Sequence, residues 1–273
     1  MKNALSIDLE DWFCVYNLSE VIKREDWDTC ELRVVANTRR ILDLLEKHNV
    51  HATFFVLGWM ADKVPDLIRE IAERKHEIAV HGYNHLLVSK STEKEFEDDL
   101  RKNFEALKKC GVDGDIIGFR APSFTIVERT KWALKILEKY NLRYDSSVFP
   151  VGFHPDYGIA DAPLAPYQIT DRLKEFPISC VEVFGKRLPC SGGGYFRIFP
   201  YSYTQWCIKR INAEGRPAVF YLHPWEIDPG QPRVKLPPTK QFRHYYGLAK
   251  TEKKIERLLS DFEFTTIREV LGL

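Results

Sequence analysis

Short apolar runs, each ending in one ionisable side chain and separated by stretches of helical periodicity, restrict this chain to few folds. Strands are expected within residues 5–12, 52–57, 76–80, 116–123, 142–147 and 218–225. Between them, helices are expected over 38–48, where Ile41, Leu42, Leu44 and Leu45 recur at helical spacing, and over 66–74, entered through Pro65. Further helices are expected over 92–110, ending at Gly111, over 130–140, and over 203–213, ending at Gly215. A tail helix over 251–262 faces Ile255, Leu258 and Leu259 inward and is expected to seal a barrel. Strand-then-helix alternation of this kind predicts an α/β fold with a parallel sheet, closed or nearly closed. Residues 152–168, rich in Pro, Gly and Asp, read as a long loop over one end.

The strand ends carry Asp8, His81, Arg120, Asp145 and His223. In a barrel of parallel strands the C-terminal ends converge on one face, so these five side chains are expected to meet there. His81 and His85 are four residues apart, a spacing that lets two imidazoles on a helical turn reach one metal ion. Among eight histidines such a pair arises by chance in about a quarter of chains of this make-up, so the pair needs partners to carry meaning. Asp8, Glu10 and Asp11 supply them: three acids at an apolar strand end repel one another unless a cation or an Arg offsets them. Two histidines and one carboxylate, with open positions left, make a hydrolytic zinc site, and a second carboxylate can act as base toward bound water. Side chains two apart on a strand share a face, which favours Glu10 beside Asp8; a strand that stops at Leu9 lets Asp11 swing in instead.

The chain has 273 residues, enough for one domain with a large core, and no linker or internal repeat divides it. A net charge of +1 carries no polyanion signature, which argues against a nucleic-acid partner. No run of eighteen apolar residues marks a transmembrane segment, and no signal peptide is evident, so a soluble cytoplasmic chain is expected. The six cysteines (Cys14, Cys30, Cys110, Cys180, Cys190, Cys207) lack metal-type spacing, and free thiols are expected, although Cys180 and Cys190 could pair across a hairpin.

The ordered set Asp8/Glu10/Asp11, His81/His85, Arg120-Ala121-Pro122, Asp145 and Leu222-His223 resembles the polysaccharide deacetylases of carbohydrate esterase family 4, the NodB-homology domain. The resemblance covers roughly residues 1–225. Residues 191–197 and 221–226 are similar to a subgroup from exopolysaccharide loci, with residues about 226–273 as a C-terminal extension packed on the barrel. It implies a distorted, incompletely closed (β/α)7-type barrel and one divalent ion, zinc before cobalt or nickel, held by His81, His85 and Glu10 or Asp11. It implies Asp8 as base, Arg120 pairing with Asp8, and His223 as acid toward the leaving amine, paired with Asp145. The backbone N–H of Ser123 would face the oxyanion, Leu222 would line the acetyl pocket, and an N-acetylated glycan would be the substrate. Two features depart from the family: the adjacent Asp pair is replaced by Asp8-Leu9-Glu10-Asp11, and the usual Ser or Thr after the first His is Gly82.

Aromatic side chains at Trp12, Trp59, Phe124, Phe149, Phe153, Tyr195 and Trp225 are expected near the rim, where ring faces suit sugars, with Tyr195 and Trp225 expected to contact the sugar. The Gly192-Gly193-Gly194 run would let backbone approach a ligand closely. Two other readings stay open: an allantoinase-like cyclic-amide hydrolase of the same superfamily, and a catalytically silent glycan-binding module.

Overall fold

The computed structural model describes residues 1–112, 114–152 and 157–273. Seven strands run parallel along the main path of the sheet: β1 Asn3–Leu9, β2 Thr53–Val56, β3 Glu77–Val80, β4 Gly118–Phe119, β5 Tyr144–Asp145, β7 Lys174–Glu175 and β10 Val219–Leu222. Their order across the sheet is β10-β1-β2-β3-β4-β5-β7, and β6 (Tyr167–Gln168) adds an antiparallel edge to β7. The two edges do not pair among the described residues, although Ser191 accepts the Tyr221 N–H at 2.8 Å and Gly192 bridges to β10. The result is a curled, incompletely closed barrel of seven parallel strands. A hairpin of β8 (Cys180–Val183) and β9 (Lys186–Pro189) stands beside it.

Strand alternation separates two layers. Ala4, Phe55, Ala79, Tyr144, Val219 and Tyr221 fill the inside of the barrel. Leu5, Ile7, Leu9, Phe54, Val56, Val80, Phe119, Phe220 and Leu222 belong to the outer layer, packed with helical residues such as Ile41, Leu42 and Ile68. The register aligns Leu9, Val56, Val80, Phe119, Asp145 and Glu175 in one row. The next row therefore holds Glu10, His81, Arg120 and Ser146, all turned inward at the C-terminal rim. Asp8 and His223 fall level on neighbouring strands, because Ile7 pairs with Leu222.

The helices follow their apolar stripes. They are α1 Val34–Lys47, α2 Gly58–Lys63, α3 Pro65–Glu73, α4 Glu93–Lys109, α5 Trp132–Lys139, α6 Gly193–Ile198, α7 Tyr201–Ala213, α8 Pro238–Tyr245, α9 Leu248–Asp261 and α10 Ile267–Leu271. α4 starts where Thr92 and Glu95 form a capping box. α1 begins a turn earlier than its apolar spacing suggests, because its first amides are capped from a distance by Asp11. The expected tail helix is present as α9 but does not seal the barrel. That position belongs to α10: Ile267 joins the inner layer, its N–H donates to Thr53 Oγ1 at 2.8 Å, and β11 (Phe264–Thr265) pairs with β1. A cavity of about 520 Å³ opens at this N-terminal end, lined by His51, His76, Glu77 and Arg268, away from the rim residues. The six cysteines are free, and Pro189 rather than Cys190 lies opposite Cys180 in the hairpin. No helix among the described residues is long and apolar enough to cross a membrane.

Candidate active site

Three side chains converge where β1 and β3 end. Glu10 Oε1 lies 3.1 Å from His81 Nε2 and 3.1 Å from His85 Nε2. β1 stops at Leu9, and a tight turn in which the Glu10 N–H reaches the Asp8 carbonyl at 2.9 Å keeps Glu10 at the rim. The His81–His85 segment is not a helical turn. Gly82 (φ +74) and His85 (φ +56) bend it through left-handed conformations, and the buried Asp99 of α4 collects the Tyr83 and Asn84 amides at 2.6 and 3.0 Å. A Cβ on residue 82 would lie 2.7 Å from Asp99 Oδ2, so the glycine that departs from the family pattern is required by this turn.

His81 Nδ1 is 2.7 Å from the carbonyl oxygen of Arg120, which can only accept, so Nδ1 carries hydrogen and Nε2 faces Glu10. Two imidazole nitrogens closing on one carboxylate oxygen form a donor set that suits a divalent cation. Burial pushes the Glu10 carboxyl up, yet the fields of His85 and His223 and the hydrogen bonds from His81 and His85 hold it well below the usual range. Asp11 is not part of this set. Its Oδ1 accepts from the Trp12 N–H at 2.8 Å and its Oδ2 from Arg33 and Val34 at 2.7 and 2.9 Å, which commits the carboxylate to the start of α1.

Asp8 sits beside this cluster. Its Oδ1 accepts from Arg120 Nη1 at 2.7 Å, and its Oδ2 lies 3.8 Å from His223 Nε2. Arg120 is fully buried, and its guanidinium is anchored by Ser6 Oγ (2.8 Å), Ser146 O (2.9 Å) and Ser146 Oγ (2.9 Å), with the Phe55 ring 4.1 Å beneath. His223 Nε2 stands 3.9 Å from Glu10 Oε1. Its Nδ1 is 3.3 Å from Glu226 Oε2, which also accepts the His223 N–H at 3.1 Å. Burial lowers the His223 imidazolium, but Glu10, Glu226 and Asp8 outweigh it and raise the ring to about 9. Burial likewise raises Glu226, and its bonds to His223 and Arg197 bring it down to about 2.

The expected pairing of Asp145 with His223 does not form. Asp145 is aligned with Phe119 and Glu175 and faces the outer layer, opposite to Tyr144 and Ser146. It meets Glu175 there, and Ser147 Oγ donates to its Oδ1 while accepting the Ala121 N–H at 2.7 Å. Asp145 Oδ2 and Glu175 Oε2 find no other partner, as expected of two carboxyls that share one proton. Burial raises Asp145 to about 6, and burial with the field of Asp145 raises Glu175 well above the usual range. Asp145 therefore supports the Arg120-Ala121 backbone from behind.

The substrate-side expectations change as well. Leu222 packs in the outer layer, and Tyr221, two residues before His223, shares the ring's face with centroids 5.9 Å apart. Trp225 is buried and stacks between His223 (5.4 Å) and His244 (4.6 Å), so it is no rim platform. Trp12, Trp59, Phe124 and Phe149 are buried too, while Tyr195 is half-buried and bonded to Tyr157. Phe153 lies outside the described residues. Gly192 approaches protein rather than ligand: its Cβ would fall 1.8 Å from the Tyr221 carbonyl. Ser123 occupies the Pro122–Phe124 turn at φ +52, a conformation that costs a non-glycine residue about 1–3 kcal/mol and persists where surroundings impose it. Glu226, Arg197, Glu175 and Asp99 were not anticipated. Of these, only Glu226 had a local signal, its position three residues after His223 on a turn opened by Pro224.

The cluster places a candidate Glu/His/His metal site at the rim of a curled α/β barrel. Residues 26–144 match the polysaccharide deacetylase family model, and residues 146–272 match a domain of unknown function, DUF3473. A peptidoglycan-N-acetylglucosamine deacetylase of Bacillus cereus is 40% identical over 98 residues, 35% of this chain and 35% of that protein. The aligned stretch thus spans about a third of that relative's length. A Mycobacterium smegmatis structure assigned to the polysaccharide deacetylases is similar over 99% of this chain and 90% of its own, with TM-score 0.61 and 21% identity. A solved allantoinase is similar over 86% of this chain and 71% of its own, with TM-score 0.58 and 17% identity. Residues 26–144 thus carry a polysaccharide deacetylase (NodB-type) domain, followed over residues 146–272 by DUF3473. His81, His85 and Arg120 lie in the first match, His223 and Glu226 in the second, and Asp8 and Glu10 precede both.

Proposed function

We propose that this protein is a metal-dependent hydrolase that removes N-acetyl groups from the amino sugars of a glycan. The observation that carries the reading is the meeting of the Glu10/His81/His85 donor set with Asp8 and His223, whose nearest atoms lie 3.8–3.9 Å apart. Zinc is the ion this donor set suits, and when bound it polarises an acyl oxygen and lowers the pKa of water toward neutrality. Asp8 takes up the proton of the attacking water through Oδ2, because Arg120 already occupies Oδ1. His223 Nε2 delivers a proton to the departing nitrogen. The Ser123 N–H faces the developing oxyanion, and Tyr221, rather than Leu222, stands beside the acyl methyl.

The deacetylase named among the relatives acts on peptidoglycan N-acetylglucosamine, which supports an N-acetylated glucosamine polymer as substrate. The subgroup resemblance adds a polymer of exopolysaccharide or cell-envelope biosynthesis, or its lipid-linked precursor, as the class of glycan. A silent binding module would lack Asp8 or His223, and an allantoinase-like enzyme would lack the full Glu/His/His set. The test is acetate release from penta-N-acetylchitopentaose and from peptidoglycan with zinc present. Release that Asp8→Asn abolishes supports the proposal; zinc-saturated protein that releases acetate from neither glycan overturns it.

A further inference from the structure

Glu226 and Arg197 form a buried ion pair directly behind His223. Glu226 is 1% and Arg197 4% exposed, and Arg197 Nε meets Glu226 Oε1 at 2.8 Å. The other Glu226 oxygen accepts both the backbone N–H and the ring Nδ1 of His223. Arg197 gives three further hydrogens to the carbonyls of Arg243, His244 and Tyr246 at the end of α8, at 2.8, 2.9 and 2.8 Å. From the same helix, His244 stacks on Trp225, whose other face meets His223. Asp228, the next acid along, is tied to Arg33 and Asn37, so the turn after His223 is held at both ends.

A buried ion pair gives little net stability, because desolvation offsets most of the attraction. A carboxylate that fixes one nitrogen of a functional imidazole, and is itself held by a further residue, is the arrangement that sets a ring's tautomer and direction. Resting on the deacetylase reading, we propose that Glu226, backed by Arg197 and the end of α8, is the positioning pair for His223. The C-terminal half of the chain thereby completes the active site, in place of Asp145. Glu226 holds the hydrogen on Nδ1 and leaves Nε2 turned toward Asp8 and Glu10.

The experiment compares Glu226→Met, Arg197→Met and the double variant in the full-length, zinc-loaded protein, with penta-N-acetylchitopentaose as substrate. Glu226→Met is expected to lower kcat about 10–100-fold with little change in KM. It also lowers Tm, because Arg197 is left buried and unpaired. In the double variant Tm recovers only in part, since both charges are gone but three carbonyls of α8 lose their donor, while kcat stays low. The His223 Nδ1–H proton resonance, expected in the wild type, disappears in the double variant. If kcat returns together with Tm, the pair is a structural tie and the inference is overturned. Should the wild type release no acetate, the deacetylase reading fails separately, and the ring resonance still decides: its persistence in the double variant overturns the positioning role.

Discussion

Replacing Asp11 by Ala is expected to weaken the fold and leave the metal site filled, because the structure assigns this carboxylate to the start of α1. It is fully buried and accepts the amides of Trp12, Arg33 and Val34. The Trp12 and Val34 bonds are buried, whereas water can reach the Arg33 amide. Two buried donors left without a partner cost about 1–3 kcal/mol each, together roughly 2–6 kcal/mol. Removing the carboxylate also relieves its own burial, which pushes Asp11 up to about 6. That rise of about two pH units corresponds to about 3 kcal/mol at neutral pH. The net loss of about 1 kcal/mol lowers Tm by roughly 2–4 °C for a chain of this size. The sign of the pH dependence follows. With the folded-state pKa raised, the burial cost accumulates as pH rises from about 4 through about 6, so relief by Ala is greatest at neutral pH. The Tm deficit should therefore grow as pH falls from 7.5 to 5. Calorimetry across that range, with zinc analysis on the same samples, checks it. An Asp11→Ala protein that keeps its Tm but loses its metal would refute the reasoning.

Other outcomes follow from the same geometry. Burial and the facing Asp145 raise Glu175 well above the usual range, so an unfolded chain gives up this proton first and stability falls as pH rises from about 4 through the folded value. Glu175→Gln, which keeps a hydrogen at any pH, should flatten Tm against pH between 5 and 8; an unchanged slope contradicts the shared proton. Gly82→Ser would press its Cβ against Asp99 and strain a φ of +74 by about 1–3 kcal/mol. Titration calorimetry should then show zinc affinity lowered about tenfold, and unchanged affinity would mean that the turn does not set His85. Leu222→Ala should cost about 2–5 kcal/mol of stability with KM unchanged, whereas a raised KM at constant Tm would return Leu222 to the acyl pocket.

The barrel was legible because β-then-α alternation is a local signal repeated along the whole chain. The side of the sheet on which each strand-end residue falls was less legible. Tyr144, Asp145 and Ser146 alternate, so Asp145 cannot share a face with Arg120 once Phe119 and Asp145 are in register. The same parity places Tyr221, not Leu222, beside His223. That register depends on pairing between distant strands, and no single strand carries it. His81 and His85 were found by their spacing, but a distant carboxylate, Asp99, bends the chain between them. The start of α1 was missed for the same reason, since its cap comes from Asp11. Trp12, Trp59, Phe124, Phe149 and Trp225, expected at the rim, are buried because large apolar rings gain most by leaving water, and Trp12, Phe13, Trp27 and Trp59 pack edge to face.

The most direct test of the metal-dependent deacetylase is zinc content and acetate release measured on one preparation of wild type, Glu10→Gln and Asp11→Asn. The account predicts about one ion per chain in wild type and Asp11→Asn, none in Glu10→Gln, and acetate release only where zinc is bound. Full zinc occupancy in Glu10→Gln, or acetate release that survives chelation, would contradict it.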